Sequence, residues 1–108
     1  MIEVKCLASS SKGNCYRVTD GSTPLLLECG IPIKDIQRGL GFGLSEIEGC
    51  LLSHGHKDHS KAAQGIMLAG IDVYASWGTF NASHLGGHRS NIVQTLKQFK
   101  IPCFHILT

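Results

Sequence analysis

A chain of 108 residues makes one small domain or a piece of a larger one, since single domains usually run to roughly 100–150 residues. Its 43% apolar and 17% charged residues belong to the globular class, and no run approaches the roughly 18 consecutive apolar residues of a membrane helix. The net charge of +2 comes from scattered basic residues, which excludes the basic stripe of a nucleic-acid-binding surface and leaves a polyanionic substrate neither favoured nor disfavoured.

The N-terminus "MIEVKC" is charged within its first five residues and lacks the apolar core of a secretory signal, so a cytoplasmic protein is expected. "IEVKCLA" (Ile2–Ala8) alternates Ile2, Val4 and Cys6 against Glu3 and Lys5, and "NCYRVTD" (Asn14–Asp20) alternates again, which predicts two half-buried strands around the polar loop "SSSKGN". "DGST" carries the Asp-Gly signal of a tight turn into "PLLLECG" (Pro24–Gly30), an unbroken apolar run suited to a buried strand. Three consecutive strands, antiparallel, are expected. After Pro32, Ile33, Ile36, Gln37 and Leu40 sit at helical spacing, with glycines at 39, 41 and 43 to end the helix.

"LSEIEG" then offers a serine cap and acidic first turn at Ser45–Glu48 before the short buried strand "GCLLS" (Gly49–Ser53). "SKAAQGIMLAG" (Ser60–Gly70) places Ala63, Ile66, Met67 and Gly70 on one helical face, and "IDVYAS" (Ile71–Ser76) alternates like a strand, so a βαβ-like unit is expected. A short helix from Gly78 to about Leu85 follows, and Ile92, Val93, Leu96 and Phe99 predict another over Ser90–Lys100. The end, "IPCFHILT", reads as an apolar strand interrupted by Pro102. Five cysteines (Cys6, Cys15, Cys29, Cys50 and Cys103) contain no C-x-x-C pair, so they read as buried small hydrophobes rather than a disulfide framework or a cysteine zinc knuckle.

The chemistry concentrates in "SHGHKDHS" (Ser53–Ser60), directly after the apolar "CLLS". Imidazole is a good ligand for zinc and related divalent ions, and a carboxylate adds negative charge and a second coordination option. His54 and His56, one residue apart in an extended loop, project to the same side and can grip one ion, while Asp58 and His59 begin the next turn and can hold another. Two pairs of ligands suit two ions about 3.5–4 Å apart, as in two-metal hydrolases. A histidine-rich surface loop is the alternative for any one of these residues, but four ligand types clustered at a strand-to-helix junction favour coordination. Structural zinc usually draws on cysteine, and none lies near this loop, so a catalytic centre is the better fit.

With this motif after a buried strand and before an apolar helix, the chain resembles the metallo-β-lactamase-fold hydrolases, whose signature is H-x-H-x-D-H. "LASSSKGNCYRV", "PLLLECGIP" and "LSEIEGCLLSH" look like the opening of an exonuclease-like or nuclease-like branch of that superfamily. The resemblance implies an α/β chain that forms residues 1–108 of a partial domain, the N-terminal half of a four-layered αββα sandwich with a mixed sheet and flanking helices. It implies that His54 and His56 bind a first metal and Asp58 and His59 a second, with Asp58 in the catalytic machinery. Two zinc ions are expected in the complete fold, manganese or iron being compatible with the same donors. They would generate hydroxide at neutral pH, polarise an ester, amide or phosphodiester and stabilise developing charge.

Glu28, where the family commonly has an aspartate, would support the metal loop from behind its ligands. The family completes its site with a further histidine, a bridging aspartate and a last histidine; no aspartate follows Asp72 here, and His84, His88 and His105 read as surface or packing residues. Lys12, Arg17, Lys57 and Lys61 could meet phosphates near the loop, although lysines in such places are more often solvated. The expectation is therefore a metal-dependent phosphodiesterase or nuclease. A non-catalytic assembly module retaining a relic metal loop and a small-molecule thiolesterase or lactonase are the alternatives. Nucleic acid is the expected substrate and no membrane partner is expected. A half-sandwich would expose the sheet face meant for its other half, so a homo-oligomer or association with a missing C-terminal half is also expected.

Overall fold

The alternating N-terminal residues, the Asp-Gly turn and the run "PLLL" become three strands in the computed structural model, which describes residues 2–53, 60–83, 89–92, 99–101 and 104–106. β1 (Glu3–Ser10), β2 (Gly13–Thr19) and β3 (Pro24–Leu27) pair antiparallel in chain order. The turn between β2 and β3 is closed by Asp20, whose Oδ1 accepts the N–H groups of Ser22 at 2.9 Å and Thr23 at 2.8 Å. Those donors, Ser22 first, hold the Asp20 carboxyl below its ordinary range. Gly21 supplies the positive φ, +102°, that this reversal needs.

From β3 onward the sheet turns parallel. α1 (Ile33–Gly39) crosses over to β4 (Gly49–Leu51), α2 (Ala63–Leu68) to β5 (Val73–Ala75), and α3 (Trp77–Ser83) precedes β6 (Ser90–Ile92). The six strands lie in the order β1-β2-β3-β4-β5-β6, with β3 to β6 mutually parallel. β7 (Phe99–Ile101) and β8 (Phe104–Ile106) form a separate antiparallel pair, on either side of Pro102, which lies outside the described residues. The mixed sheet with flanking helices and the βαβ unit match the reading of the sequence. α1 ends as the glycines predict, with Gly41 at φ +61°.

Three expectations are corrected. Ser90–Ile92 is a strand, not the start of a helix: Val73 N–H donates to Arg89 O at 2.8 Å, the Asp72–Arg89 ion pair at 3.1 Å fixes the register, and pairing with β5 overrides the helical spacing. The remainder of that predicted helix is β7 at its far end, and residues 93–98 lie outside the described residues. The stretch after α1 forms only a 3₁₀ turn (Leu44–Glu46) without a side-chain cap from Ser45, because Gly43 occupies the cap position. Finally, β1 is not half-buried on its apolar side: Ile2 and Val4 are 58% and 64% exposed and Cys6 is exposed as well, since β1 lies at the sheet edge.

The core lies on the helical side of the sheet. Cys15, Leu26, Cys50 and Val73 from four strands meet Ile36 of α1, Ala63 and Ile66 of α2 and Phe80 of α3. Each fully buried Leu or Ile there contributes about 1.5–3 kcal/mol. On the other face Val18 and Leu25 are buried beside the partly buried Leu27, Leu51 and Tyr74, and none of the buried helix residues belongs to that cluster.

The β1–β2 hairpin packs tightly against the chain beyond β3. A Cβ on Gly13 would come within 2.6 Å of Gly30 O and 2.7 Å of Ile31 Cγ2. Gly30 cannot simply retreat, because its N–H donates to Asn14 O at 2.9 Å. Gly13→Ala is therefore expected to destabilise the chain by about 1–3 kcal/mol in urea unfolding; an unchanged midpoint would show that this contact relaxes freely.

Candidate metal centre

Four parallel strands bring their C-terminal ends to one edge, the place where α/β sheets build sites. Glu28 follows β3, Ser53 lies beyond β4 and Ser76 follows β5 there. β3 stops at Glu28 because that residue takes φ +64°, a left-handed conformation that strains a side chain with a Cβ by about 1–3 kcal/mol. Its N–H still donates to Leu51 O at 2.8 Å, so the turn away from the sheet begins with the ladder intact.

The side chain of Glu28, 8% exposed, accepts two hydrogen bonds from one residue. Ser53 N–H donates to Oε1 at 2.6 Å and Ser53 Oγ–H donates to Oε2 at 2.9 Å. Bonds to an ionised carboxylate are roughly twice as strong as neutral ones, and two from the same residue fix orientation as well as distance. Past the ligand segment, Ala62 N–H donates to Cys29 O at 2.8 Å. Two consecutive residues, Glu28 and Cys29, thus hold the chain on both sides of the "HGHKDH" stretch. Sequence reasoning placed Glu28 behind the loop but missed Ser53 as its partner and the Cys29 carbonyl as the second anchor. A short polar residue directly before the first histidine was the available signal.

The four predicted ligands, His54, His56, Asp58 and His59, lie outside the described residues, as do Lys57, His84, His88 and Cys103. His105 falls in β8, with its side chain outside the description. Among the described residues no group of three His, Cys, Asp or Glu side chains is arranged to hold a metal ion. The nitrogen and oxygen donors of the motif are the chemistry a divalent ion of the zinc, manganese or iron type selects, so the donor set fits the metals the sequence implies. Of the proposed phosphate contacts, Lys12 sits in the β1–β2 turn at this end of the sheet, and Lys61 follows the ligand segment, exposed. Arg17 lies elsewhere, lining a depression with Lys5, Gly39 and Glu46 on the helical side.

Three thiols lie in the core at this end of the fold, and their burial removes them as ligands or nucleophiles. Cys15, Cys29 and Cys50 are fully buried. Burial, then the neighbouring Cys29, pushes the Cys15 thiol up to about 12. The Cys50 thiol is raised through its hydrogen bond with Cys29 and by burial. The thiolate is the reactive and metal-binding form, so Cys15 and Cys50 stay protonated and inert. Iodoacetamide is expected to label Cys6 in the native chain and to leave Cys15, Cys29 and Cys50 unmodified until denaturant is added, as read by peptide mapping. Labelling of Cys29 as fast as Cys6 would contradict the burial. Cys6 itself departs from the reading of all five cysteines as buried.

The sequence profile of the Metallo-beta-lactamase superfamily matches residues 10–76, which includes both anchors and the whole motif. Among solved structures, the peroxy diiron species of the chemotaxis sensor ODP aligns with TM-score 0.75 at 14% identity, covering 94% of this chain and 45% of that one. The metallo-beta-lactamase fold protein YhfI from Bacillus subtilis aligns with TM-score 0.74 at 16% identity, covering 94% and 49%. Rm3 metallo-beta-lactamase aligns with TM-score 0.73 at 19% identity, covering 94% and 46%. The chain therefore spans about half the length of these structures. No curated protein sequence matches it. No helix among the described residues is long and apolar enough to cross a membrane. With the profile matched over more than half of its residues, and a mixed sheet whose parallel edge anchors the H-x-H-x-D-H segment, this chain belongs to the metallo-β-lactamase superfamily.

Proposed function

We propose that the chain is the metal-binding half of a metal-dependent hydrolase that cleaves phosphodiesters of nucleic acid, within the nuclease-like branch of its superfamily. The observation that carries the hydrolase reading is the double anchor: Glu28 and Cys29 hold the chain before and after a segment of four ligand-type residues. His54 and His56 would hold one ion, and Asp58 with His59 a second. When bound, such ions supply a nucleophilic hydroxide at neutral pH and polarise the scissile bond. Zinc is the proposed metal, with manganese or iron alternatives that the same donors accept.

The chain's own residues define the rest of the proposal. Glu28 orients the entry to the segment, and Lys12 at the same end of the sheet offers a cation to a phosphate. The nucleic-acid substrate is supported by the resemblance of "LASSSKGNCYRV" and "LSEIEGCLLSH" to nuclease-like members. The remaining ligands are proposed to come from a C-terminal half of the fold, joined to this chain or associated with it.

Elemental mass spectrometry and an oligonucleotide cleavage assay test this together. With the C-terminal half present, about two ions per chain, lost in the His54→Ala, His56→Ala double variant, and cleavage abolished by Asp58→Ala with metal binding weakened, are the expected results. Cleavage that survives Asp58→Ala overturns the reading. Turnover of a thioester or lactone with no phosphodiester cleavage transfers the site to small molecules. Metal bound with no turnover of any of these substrates is the signature of the second reading, an assembly module that keeps the loop without catalysis.

A further inference from the structure

We propose that β1 is a self-association edge, on which the β1 strand of a second copy of this chain pairs antiparallel about a two-fold axis through Val4. β1 is eight residues long and stands at the end of the six-stranded sheet, so among the described residues it pairs only with β2. Its outer row of backbone N–H and C=O groups is a template for another strand. Ile2 and Val4, 58% and 64% exposed, and the exposed Cys6 project from one face, while Glu3 and Lys5 project from the other. Lys5 is held on the helical side, its Nζ donating to Gly39 O at 2.9 Å. The bulge between Cys6 and Ala8 ends the regular part of the edge.

The charge pattern identifies the occupant. With the axis at Val4, Glu3 of each copy stands opposite Lys5 of the other, Val4 faces Val4, and Ile2 faces Cys6 across the apolar side. Directly opposed unlike charges and apolar pairs both stabilise antiparallel strands. Moving the axis to Glu3 sets two carboxylates against each other, and moving it to Lys5 sets two ammonium groups against each other. An axis at Cys6 runs into the bulge and loses both ion pairs. A lysine on an edge ordinarily repels a neighbouring strand; Glu3 two residues away converts it into half of a reciprocal pair. The same patch serves both copies, as a two-fold interface requires.

Sedimentation equilibrium on the 108-residue chain is expected to show a dimer. Glu3→Lys alone and Lys5→Glu alone should each weaken it about tenfold or more, since each sets like charges together twice, and the Glu3→Lys, Lys5→Glu double variant should restore it. Circular dichroism on each variant establishes that the fold is kept. A Val4→Cys variant tests the register without altering charge. Under glutathione disulfide its two introduced thiols are expected to form one intermolecular disulfide, their hydrogens and electrons passing to the glutathione disulfide, whose S–S bond breaks to give two molecules of reduced glutathione, while the unsubstituted chain does not cross-link. A monomer, a dimer indifferent to the charge reversals, a double variant that fails to recover, or cross-linking through Cys6 would each overturn the proposal.

Discussion

Replacing Glu28 with alanine is expected to destabilise the chain by about 2–4 kcal/mol and to weaken metal binding roughly 10–100-fold. The carboxylate is nearly buried and accepts both the N–H and the hydroxyl of Ser53, so its removal deprives two donors of their charged acceptor at once. It also leaves an alanine at φ +64°, a conformation tolerated at present because the clasp and the Leu51 hydrogen bond hold it. Glu28→Gly separates the two contributions. Glycine relieves the backbone strain, so this variant should recover about 1 kcal/mol relative to alanine in urea unfolding while binding metal just as weakly. Competition against a chromogenic chelator reads the affinity. An alanine variant that binds metal like the parent would show that Ser53 does not need its anchor.

A second large effect is expected at Ile66. α2 has six residues, too few to persist on propensity alone, and it is kept by packing. Ile66 is fully buried in the helical-side cluster beside Cys29 and Cys50, and Gly65 brings the helix so close to α1 that a Cβ there would stand 3.0 Å from Ile33 Cδ1. Ile66→Ala is expected to destabilise by about 2–5 kcal/mol and to lower Tm by at least about 10 °C. That is a large fraction of the roughly 5–15 kcal/mol that holds a domain folded. Leu68, two residues on and 82% exposed, is the control: Leu68→Ala should stay within about 0.5 kcal/mol. Equal losses at both positions would mean that the helix is not docked through Ile66.

Where local pattern and packing agreed, the sequence could be read. The run "PLLL", the Asp-Gly turn and the glycine-ended helix each carried one conformation in a few neighbouring residues, and the sheet used all three. β6 could not be read that way, because Ile92 has a place in either period and only pairing with β5 decides between them. β1 alternates as a half-buried strand should, yet alternation does not say whether anything lies over the apolar side. At the site, the four expected ligands lie outside the described residues, while a supporting role for Glu28 was legible. Its left-handed turn and its partner were not, because Ser53 reaches Glu28 only through the parallel register of β3 and β4, which a long crossover sets.

The double anchor also bears on how freely this centre can change. The chain before residue 54 and the chain after residue 59 are both tied to one dipeptide, so the two points that bound the segment are set by contacts outside it. Under the proposed function, selection for a new metal preference or a new substrate would act on a few side chains between those points, while the strands, the core and the two anchors stay constant. Chemistry and fold become separately adjustable, and this physical arrangement lets a single scaffold accumulate many activities.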